Sequence, residues 1–331
     1  MNTRYDELDD FKTSINLTEL MASFGYGIDR KVSSRNSAVM VHPDGDKLVV
    51  ARGRDGHWVY FSVRDDRDHG SVIDFVQHRT RENLGHTRKR LRQWLNTPTS
   101  LTAHAGPRPD PLTYASALEP IARDLAQVRA RIAGMEPIQP DHPYLVQVRR
   151  IPPALLAQER FAGCLLLDQR GNVVFPHEDG DGVCGYELKN NRFTGFAPGG
   201  VKGLWGSQKT ERDDALVIAE SVIDALSYAA LRGSQSIRYL STAGRLNDTQ
   251  PGLIRAAIEE LGEGRVIAAV DHDAGGDELA QVIETLCLEH RSPQIAFERH
   301  SPPNTGEDWN DALRASVGDS GQNQSPQPNS G

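Results

Sequence analysis

Two short apolar runs, 216–219 and 266–270, each end abruptly at carboxylates and are followed by a segment of helical pattern. This pattern is typical of a buried parallel strand that leads into a crossover helix. The first run ends at Glu220, and the second ends just before Asp271 and Asp273. Because the carboxyl ends of parallel strands meet at the ligand crevice of an open sheet, these acids are expected to converge. Gathered carboxylates repel unless a cation or proton relieves them, and hard oxygen ligands suit Mg²⁺ or Mn²⁺, so the sequence predicts a divalent-metal site.

The second half of the chain alternates between strand and helix patterns, which predicts an α/β fold with a compact Rossmann-like parallel sheet and flanking helices. The strands are expected near 215–219, 237–241, 265–270 and 294–298, and the helices at 221–232, 249–261 and 276–290. We expect the chain to be α+β overall, because the first half does not show this alternation of strand and helix patterns.

That first half is rich in antiparallel β patterns. Strand patterns at 37–41, 46–51 and 57–63 are separated by glycine-containing turns and follow a helical pattern over 5–25. A second set of strands with tight turns, over 165–189, predicts an antiparallel meander. The parallel sheet should therefore be preceded by a small β module and a β-rich subdomain.

Composition breaks suggest where the domains end. Thr97 to Thr113 is rich in proline and small polar residues, and the chain from Ser316 onward is rich in Ser, Gln, Asn, Gly and Pro. A helix is expected over 115–134, as a spacer or as the first element of the second domain. The predicted division is a first module 1–96, a linker 97–114, a subdomain 115–209, a domain 210–315 that holds the parallel sheet, and a disordered tail 316–331.

Length and composition favour a folded cytoplasmic protein. The 331 residues are enough for about two domains. No apolar run approaches the roughly 18 to 20 residues of a membrane span, and the first ten residues are too acidic for a secretion signal. The three cysteines are far apart and form no CxxC pair, which predicts reduced thiols rather than disulfides or a thiolate zinc site.

Charge is distributed unevenly along the chain. Residues 28–95 hold 14 basic and nine acidic side chains, net +5, whereas residues 210–331 hold nine basic and 20 acidic, net −11. A basic front half beside an acidic, metal-binding half suits an enzyme of nucleic acids, because phosphates need Lys and Arg while the reacting centre needs carboxylates. The alternative is that both charge excesses are solvated surface.

The first module resembles the N-terminal zinc-ribbon domain of bacterial, DnaG-like primases. The resemblance rests on Gly70 to Phe75, which is similar to a Gly-x-x-Ile-x-Phe segment that follows the ribbon in that family. The module has no cysteine, however, so His42, His57 and His69 lack thiolate partners. We therefore expect the fold to be kept and no zinc to be bound.

Aromatic and basic residues of the same module form a candidate nucleic-acid surface. Aromatic rings can stack on bases while interleaved arginines hold phosphates. The alternative is that the rings belong to the core and the arginines are solvated. The candidates are Trp58, Tyr60, Phe61, Arg52, Arg54 and Arg64.

The segments 165–176, 185–189 and 199–206 resemble the part of primase polymerase domains that precedes the metal-binding fold. They are also similar to a plasmid-associated domain often placed before the same catalytic module in mobile-element proteins. The cations of this region are candidates for contacts to template or nucleotide phosphates, although each taken alone could be ordinary surface. They are Arg149, Arg150, Lys189, Arg192 and Lys202.

The two strand ends of the opening paragraph can now be placed in a longer pattern. It comprises Glu220 with Asp224, the strand end 241–244 with Gly244, Asp271-x-Asp273-x-x-Gly276, and 306–311 with Asp308, Asn310 and Asp311. In this order the pattern resembles the Toprim domain, which bacterial primases, topoisomerases and some nucleases share, over about residues 212–314.

The resemblance implies a role for each acid of the pattern. Glu220 would be the catalytic carboxylate, Asp271 and Asp273 metal ligands with it, and Asp308 or a neighbour would complete the acidic cluster. Asp224 would support these ligands without itself binding the metal. Two Mg²⁺ or Mn²⁺ ions would then activate a 3′-hydroxyl and stabilise the leaving pyrophosphate, so that no nucleophilic side chain is required.

The resulting hypothesis is a primase-like nucleotidyltransferase, in plasmid, phage or mobile-element replication or transfer. It would bind single-stranded DNA and nucleoside triphosphates, with a helicase or another replication or mobilisation protein as a further partner. A Toprim nuclease with the same carboxylates, or a non-catalytic DNA-binding accessory, are the alternatives. A topoisomerase is disfavoured, because its tyrosine nucleophile needs an additional large domain for which 331 residues leave no room.

Overall fold

The structure is a computed structural model that describes residues 3–53, 56–65, 68–96, 109–110, 112–120, 122–191, 193–233, 236–289 and 294–322. The chain forms two compact units. The first comprises Met1–Arg123 with Arg192–Gly195, and the second comprises Asp124–Asn191 with Phe196–Gly331. Most of the predicted linker 97–114 lies outside the described residues. Within the described ranges, no helix is long and apolar enough to span a bilayer.

The first unit is a five-stranded antiparallel sheet with helices. Its elements are α1 (Thr3–Ser14), α2 (Leu17–Ser23), β1 (Gly27–Ile28), β2 (Ser37–Val41), β3 (Lys47–Arg52), β4 (Trp58–Ser62), β5 (His69–Ser71), α3 (Val72–Thr80) and α4 (Leu84–Asn96), and the sheet runs β1-β2-β3-β4-β5. The predicted small β module is therefore confirmed. The helical pattern over 5–25 is two helices, because the Asn16 side chain accepts from the N–H groups of Thr18 and Glu19 and starts α2.

The Gly70 to Phe75 segment has a structural explanation. Ser71 caps α3, and the Asp74 carboxylate accepts in return from the Ser71 backbone N–H at 2.7 Å, which forms a capping box. Gly70 has φ +140° and lies so close to Asp74 that an added Cβ would be 2.5 Å from that carboxyl group. Phe75 is fully buried and packs edge-on against Tyr60, with ring centroids 5.6 Å apart.

An ion-pair network joins two turns of the first unit. The Arg79 guanidinium donates to Asp46 at 2.9 Å, in the β2–β3 turn, and to Asp68 at 2.6 Å, in the β4–β5 turn. Tyr60 donates its hydroxyl to Asp68 at 2.7 Å, and His78 lies 3.0 Å from the same carboxylate. We call this the Arg79 network.

The Arg79 network is expected to make the stability of the first unit depend on pH. Hydrogen bonding to Asp68 raises the pKa of His78, so this contribution is complete below about pH 6.5 and is lost as the pH rises through the folded-state pKa. Although burial opposes it, hydrogen bonds from His78 and Arg79 lower the pKa of Asp68, whose contribution is present above about pH 4 and is lost as the pH falls through its folded-state pKa. Thermal unfolding across a pH series should show a maximum between these limits that Asp68→Asn flattens. An unaltered pH profile in the variant would contradict the assignment.

The second unit begins with a helix and an antiparallel meander. Its first elements are α5 (Leu125–Ala133), β6 (Glu136–Pro137), a π-helical turn (Tyr144–Val148), α6 (Pro153–Leu156), a 3₁₀ turn (Glu159–Phe161), β7 (Leu166–Leu167), β8 (Val173–Asp179) and β9 (Gly182–Asn190). The next strand is β10 (Phe193–Phe196), whose residues 193–195 are assigned to the first unit. The sheet order is β10-β9-β8-β7-β6, which confirms the predicted meander. The helix predicted over 115–134 is shorter, because Asp124 caps its N-terminus by accepting from the Gln127 N–H at 2.9 Å.

The rest of the second unit is the predicted parallel sheet. Its elements are β11 (Trp205–Gly206), β12 (Ala215–Ala219), α7 (Val222–Arg232), β13 (Ile237–Ser241), α8 (Gln250–Leu261), β14 (Gly264–Ala269), α9 (Ala274–Glu289), β15 (Ile295–His300) and α10 (Trp309–Gln322). The order is β11-β13-β12-β14-β15, with β11 antiparallel to β13 and the other neighbours parallel. All five residues of β12 are buried, as expected for a central strand covered on both faces.

The predicted disorder from Ser316 onward is wrong for its first residues. Helix α10 continues to Gln322. The composition of the tail signalled disorder, but the preceding helical turns carry the buried side chains of Trp309 and Leu313 and extend past Ser316. Residues 323–331 of the predicted tail lie outside the described part of the chain.

Candidate active site

The central strands bring the two acidic strand ends side by side. Ala219 pairs with Ala269 in the parallel register of β12 and β14, so both strands end level. Glu220 directly follows β12, and Asp271 follows β14 after one further residue. The Asp271 backbone N–H donates to the Glu220 carboxylate at 3.3 Å. The predicted convergence of these two residues at one edge of the sheet is thus present in the structure.

The carboxylates at this edge act on one another electrostatically. Burial raises the pKa of Asp271, and the charges of Asp224 and Glu220 raise it further. Burial also raises the pKa of Glu220, with contributions from Asp273 and Asp308. These five acids therefore share one electrostatic field, in which simultaneous ionisation is costly.

Asp224 links two helices behind the strand ends. It is 5% exposed, and the Ser221 hydroxyl lies 2.5 Å from its carboxylate. The Asn310 backbone N–H donates to the other carboxylate oxygen at 3.3 Å, and burial raises the Asp224 pKa, with the Asp308 charge as the next cause. The Asn310 side chain in turn donates to the Arg149 carbonyl at 2.7 Å and to Ser227 at 3.0 Å. Asp224 and Asn310 thus lie where they hold α7 and α10 together.

The remaining motif residues shape the turns around the acids. Asp273 accepts from the Gly276 N–H at 2.9 Å at the start of α9, and Asp308 accepts from the Asp311 N–H at 2.7 Å at the start of α10. Gly276 must be glycine for steric reasons, since an added Cβ would lie 2.1 Å from the Asp271 carbonyl oxygen. One carboxylate oxygen of each of these two acids thus caps the N-terminus of a helix.

Gly244 lies at the end of β13, against the first acid. Its N–H donates to the Glu220 carbonyl at 2.7 Å, and its φ of +80° is the left-handed conformation that glycine adopts readily. The predicted motif position at this strand end therefore contacts the backbone of Glu220.

The predicted cations of the second unit differ in their surroundings. Lys189 is 5% exposed and its charge lowers the pKa of Asp224, so it lies in the field of the acids. Lys202 instead donates to two backbone carbonyls, of Ala243 at 3.1 Å and of Arg245. Arg149 donates to the Tyr144 hydroxyl at 3.0 Å, and the exposed Arg150 has φ +60°.

The nucleic-acid surface predicted for the first unit is wrong for two of its aromatic rings. Trp58 and Tyr60 are 4% and 2% exposed, and the Arg52 guanidinium lies 5.8 Å from the Trp58 ring centroid. An alternating strand pattern cannot distinguish rings that face a core from rings that face a ligand. Arg64 is exposed, whereas Arg54 and Arg192 lie outside the described residues.

Arg245 is a site residue that the sequence reasoning missed. Its charge opposes the effect of burial on the Glu220 pKa, so its guanidinium lies within the field of that carboxylate. The available signal was its position directly after Gly244, at a strand end already identified as part of the motif.

The donor set of this edge fits a hard divalent cation. Among the described residues, no group of three or more His, Cys, Asp or Glu side chains is arranged to hold a metal ion. Oδ1 of Asp271 is nevertheless buried and has no hydrogen-bond partner in the described part of the chain. A carboxylate oxygen of this kind suits Mg²⁺, which keeps several waters and needs one or two carboxylates. Mg²⁺ or Mn²⁺ at this edge therefore stays a prediction, which the type of oxygen ligand supports and for which the described residues form no preformed cage.

Family comparisons agree with the class of domain that the fold and the acids define. Residues 217–313 match the family model described as Toprim-like, and residues 143–214 match the model described as Protein of unknown function (DUF3991). The chain therefore contains a Toprim-like domain, which confirms the resemblance seen in the sequence. No curated protein matches the chain.

Solved structures of primases are similar to parts of the chain. A DNA primase domain from Pseudomonas aeruginosa is 17% identical, with a TM-score of 0.31, over 50% of this chain and 58% of that one. The primase fragment of the bacteriophage T7 primase-helicase is 13% identical, with a TM-score of 0.35, over 56% and 76%. The RNA polymerase domain of Mycobacterium tuberculosis primase DnaG is 14% identical, with a TM-score of 0.30, over 59% and 78%. The chain thus spans little more than half of the Pseudomonas domain.

Proposed function

We propose that the protein is a metal-dependent, primase-like nucleotidyltransferase that synthesises short primers on single-stranded DNA. The observation that carries the proposal is the hydrogen bond between Glu220 and Asp271 at level strand ends of a Toprim-like domain, together with a buried Asp271 oxygen that has no hydrogen-bond partner among the described residues. Glu220, Asp271 and Asp273 would hold Mg²⁺ or Mn²⁺, with Asp308 nearby. Bound there, the ion would supply positive charge for the attacking hydroxyl and the leaving pyrophosphate.

The surrounding residues supply the other requirements of phosphoryl chemistry. The positive charges of Lys189 and Arg245 act on the carboxylates of Asp224 and Glu220, respectively, and would also act on a bound triphosphate. Asp224 and Asn310 position the helices that flank the acids. The protein would thus act through positioning and charge, without a covalent intermediate on a side chain.

The proposed setting is replication or transfer of a plasmid, phage or mobile element. Single-stranded DNA and nucleoside triphosphates would be the substrates, and a helicase or mobilisation protein would recruit the enzyme. Arg150 and the exposed Arg64 remain candidates for contacts to the DNA backbone.

The deciding experiment incubates the purified protein with single-stranded DNA, labelled nucleoside triphosphates and Mg²⁺ or Mn²⁺. Glu220→Gln is the test variant, and Asp277→Asn is the matched control, because Asp277 is an acid of the same domain that is 62% exposed and paired with Arg299. Short labelled products from the unaltered protein and the control, but not from Glu220→Gln, are expected. If the DNA is shortened without added nucleotides, the proposal is wrong and the protein is a nuclease. If the DNA is bound but neither copied nor cut, the proposal is wrong and the protein has an accessory role.

A further inference from the structure

The loop after β13 has an uncommon backbone conformation. Ala243 and Gly244 follow each other with φ +54° and +80°, and Ala243 carries a side chain that disfavours this region. Such a conformation persists where the surrounding structure holds it, and it is frequent at ligand-binding sites. This loop contacts the active site directly, because the Gly244 N–H donates to the Glu220 carbonyl.

Lys202 is the side chain that holds this loop. Its ammonium group donates to the carbonyls of Ala243 and Arg245, on both sides of Gly244. An ammonium group has three N–H donors, so two of the three are committed to the loop. This arrangement differs from the predicted contact of Lys202 with a phosphate.

The backbone on either side of the lysine strengthens the attachment. The Asn247 side chain donates to the Lys202 carbonyl at 2.7 Å. The fully buried Gln250 donates to the carbonyls of Gly203 and Thr242, both at 2.8 Å. The start and the end of the loop are therefore tied to the same short segment, 202–203.

The ammonium group of Lys202 is largely removed from solvent, and the charge of one carboxylate compensates in part. Burial lowers its pKa to about 8, and the negative charge of Glu187 opposes that shift. Glu187 is itself 8% exposed and lies 3.8 Å from Lys189. Two lysines on this side of the domain thus share one buried carboxylate, and one of them is attached to the loop.

We propose that Lys202 is a positioning residue that holds Ala243 and Gly244 in their left-handed conformation, and that the loop 243–245 thereby presents Arg245 to a phosphate group of the nucleotide substrate beside Glu220. The position of Arg245 follows from the chain, since it directly succeeds the residue hydrogen-bonded to Glu220. The role of Lys202 in the loop is independent of the proposed function, whereas the role of Arg245 rests on it.

Amide hydrogen exchange of the intact, metal-free protein tests the first part. The variants are Lys202→Met, Lys202→Arg, and Lys209→Met as a control, because Lys209 is 50% exposed and pairs with Glu260 on the surface. Exchange in the peptide 242–249 is expected to be at least about tenfold faster in Lys202→Met, unaltered in the control and largely restored in Lys202→Arg. Unaltered exchange in folded Lys202→Met would overturn the proposal. If that variant does not fold, Lys202→Gln, which keeps a polar but shorter and uncharged side chain, must show faster exchange in the same peptide.

Binding of ATP with Mg²⁺, without template, tests the second part apart from primer synthesis. We expect Arg245→Ala to weaken ATP binding about tenfold and Arg245→Lys to weaken it less. Lys202→Met should also weaken binding, and the double variant Lys202→Met/Arg245→Ala should bind little more weakly than Arg245→Ala alone. Multiplicative losses in the double variant would mean that Lys202 contacts the phosphate itself, and unaltered binding by Arg245→Ala would overturn its role. ATP binding with no primers in the assay above would leave this inference standing while the proposed function failed.

Discussion

Asp271→Asn is expected to slow primer synthesis by orders of magnitude and yet to raise the thermal stability of the metal-free protein. The Asp271 carboxyl group is partly buried, and this burial and the neighbouring acids raise its pKa, so its ionised form destabilises the fold unless a cation is bound. Removing one preorganised charged group from such a site lowers the rate by about 100- to 1,000-fold. Relief of the repulsion should stabilise the fold by about 0.5–2 kcal/mol, which corresponds to a few degrees in the unfolding temperature.

The stability of the metal-free protein is expected to fall as the pH rises, and Asp271 is one cause. Because the folded-state pKa of Asp271 is raised, the folded protein binds a proton more tightly than the unfolded chain does. Stability should therefore fall as the pH rises above about 4 towards the folded-state pKa, and less so in Asp271→Asn.

Calorimetry of the two proteins with and without Mn²⁺ measures these effects. Mn²⁺ should raise the unfolding temperature of the unaltered protein and of Asp277→Asn, and should have little effect on Asp271→Asn. A variant that is less stable than the unaltered protein in metal-free buffer, or that still gains stability from Mn²⁺, would contradict the assignment of Asp271 as a metal ligand.

Asp213→Asn is expected to cause the largest loss of stability. The Arg160 guanidinium donates to both Asp213 oxygens, at 2.6 and 3.0 Å, and these side chains are 7% and 6% exposed. Removing one partner of a buried pair leaves the other charge uncompensated, which costs about 3–5 kcal/mol. Arg160 also donates to the Gln208 carbonyl at 2.6 Å, so the pair attaches the segment before β12 to the 3₁₀ turn Glu159–Phe161.

Urea unfolding followed by tryptophan fluorescence measures this loss. Glu260→Gln is the control, because Glu260 pairs with Lys209 and Arg238 on the surface while 42% exposed, and such pairs contribute about 0–1 kcal/mol. A loss in Asp213→Asn no greater than that of the control would show that the buried pair does not contribute as its geometry implies.

Local signals were sufficient for the regular elements of the second unit. The apolar runs of β12 and β14 end at acids, and the structure has those strands within one residue of the predicted bounds. Helix ends were harder to predict, because they depend on single capping residues. Asn16 divides the N-terminal helix, and Asp124 starts α5 ten residues later than the helical pattern suggested.

The sequence by itself determined the parallel sheet, the edge at which its acids meet and the Toprim-like class of the domain. It could do so because burial on both faces of a parallel sheet demands continuous apolar runs, and the chain leaves each strand at the same edge. Only the tertiary structure decided which distant groups meet across the chain. The Lys202 ammonium group bonds the Arg245 backbone carbonyl 43 positions away, and the Arg160 guanidinium bonds the Asp213 carboxylate 53 positions away. No sequence periodicity predicts such pairs, because each depends on how distant segments pack and on which polar groups become buried in the same place.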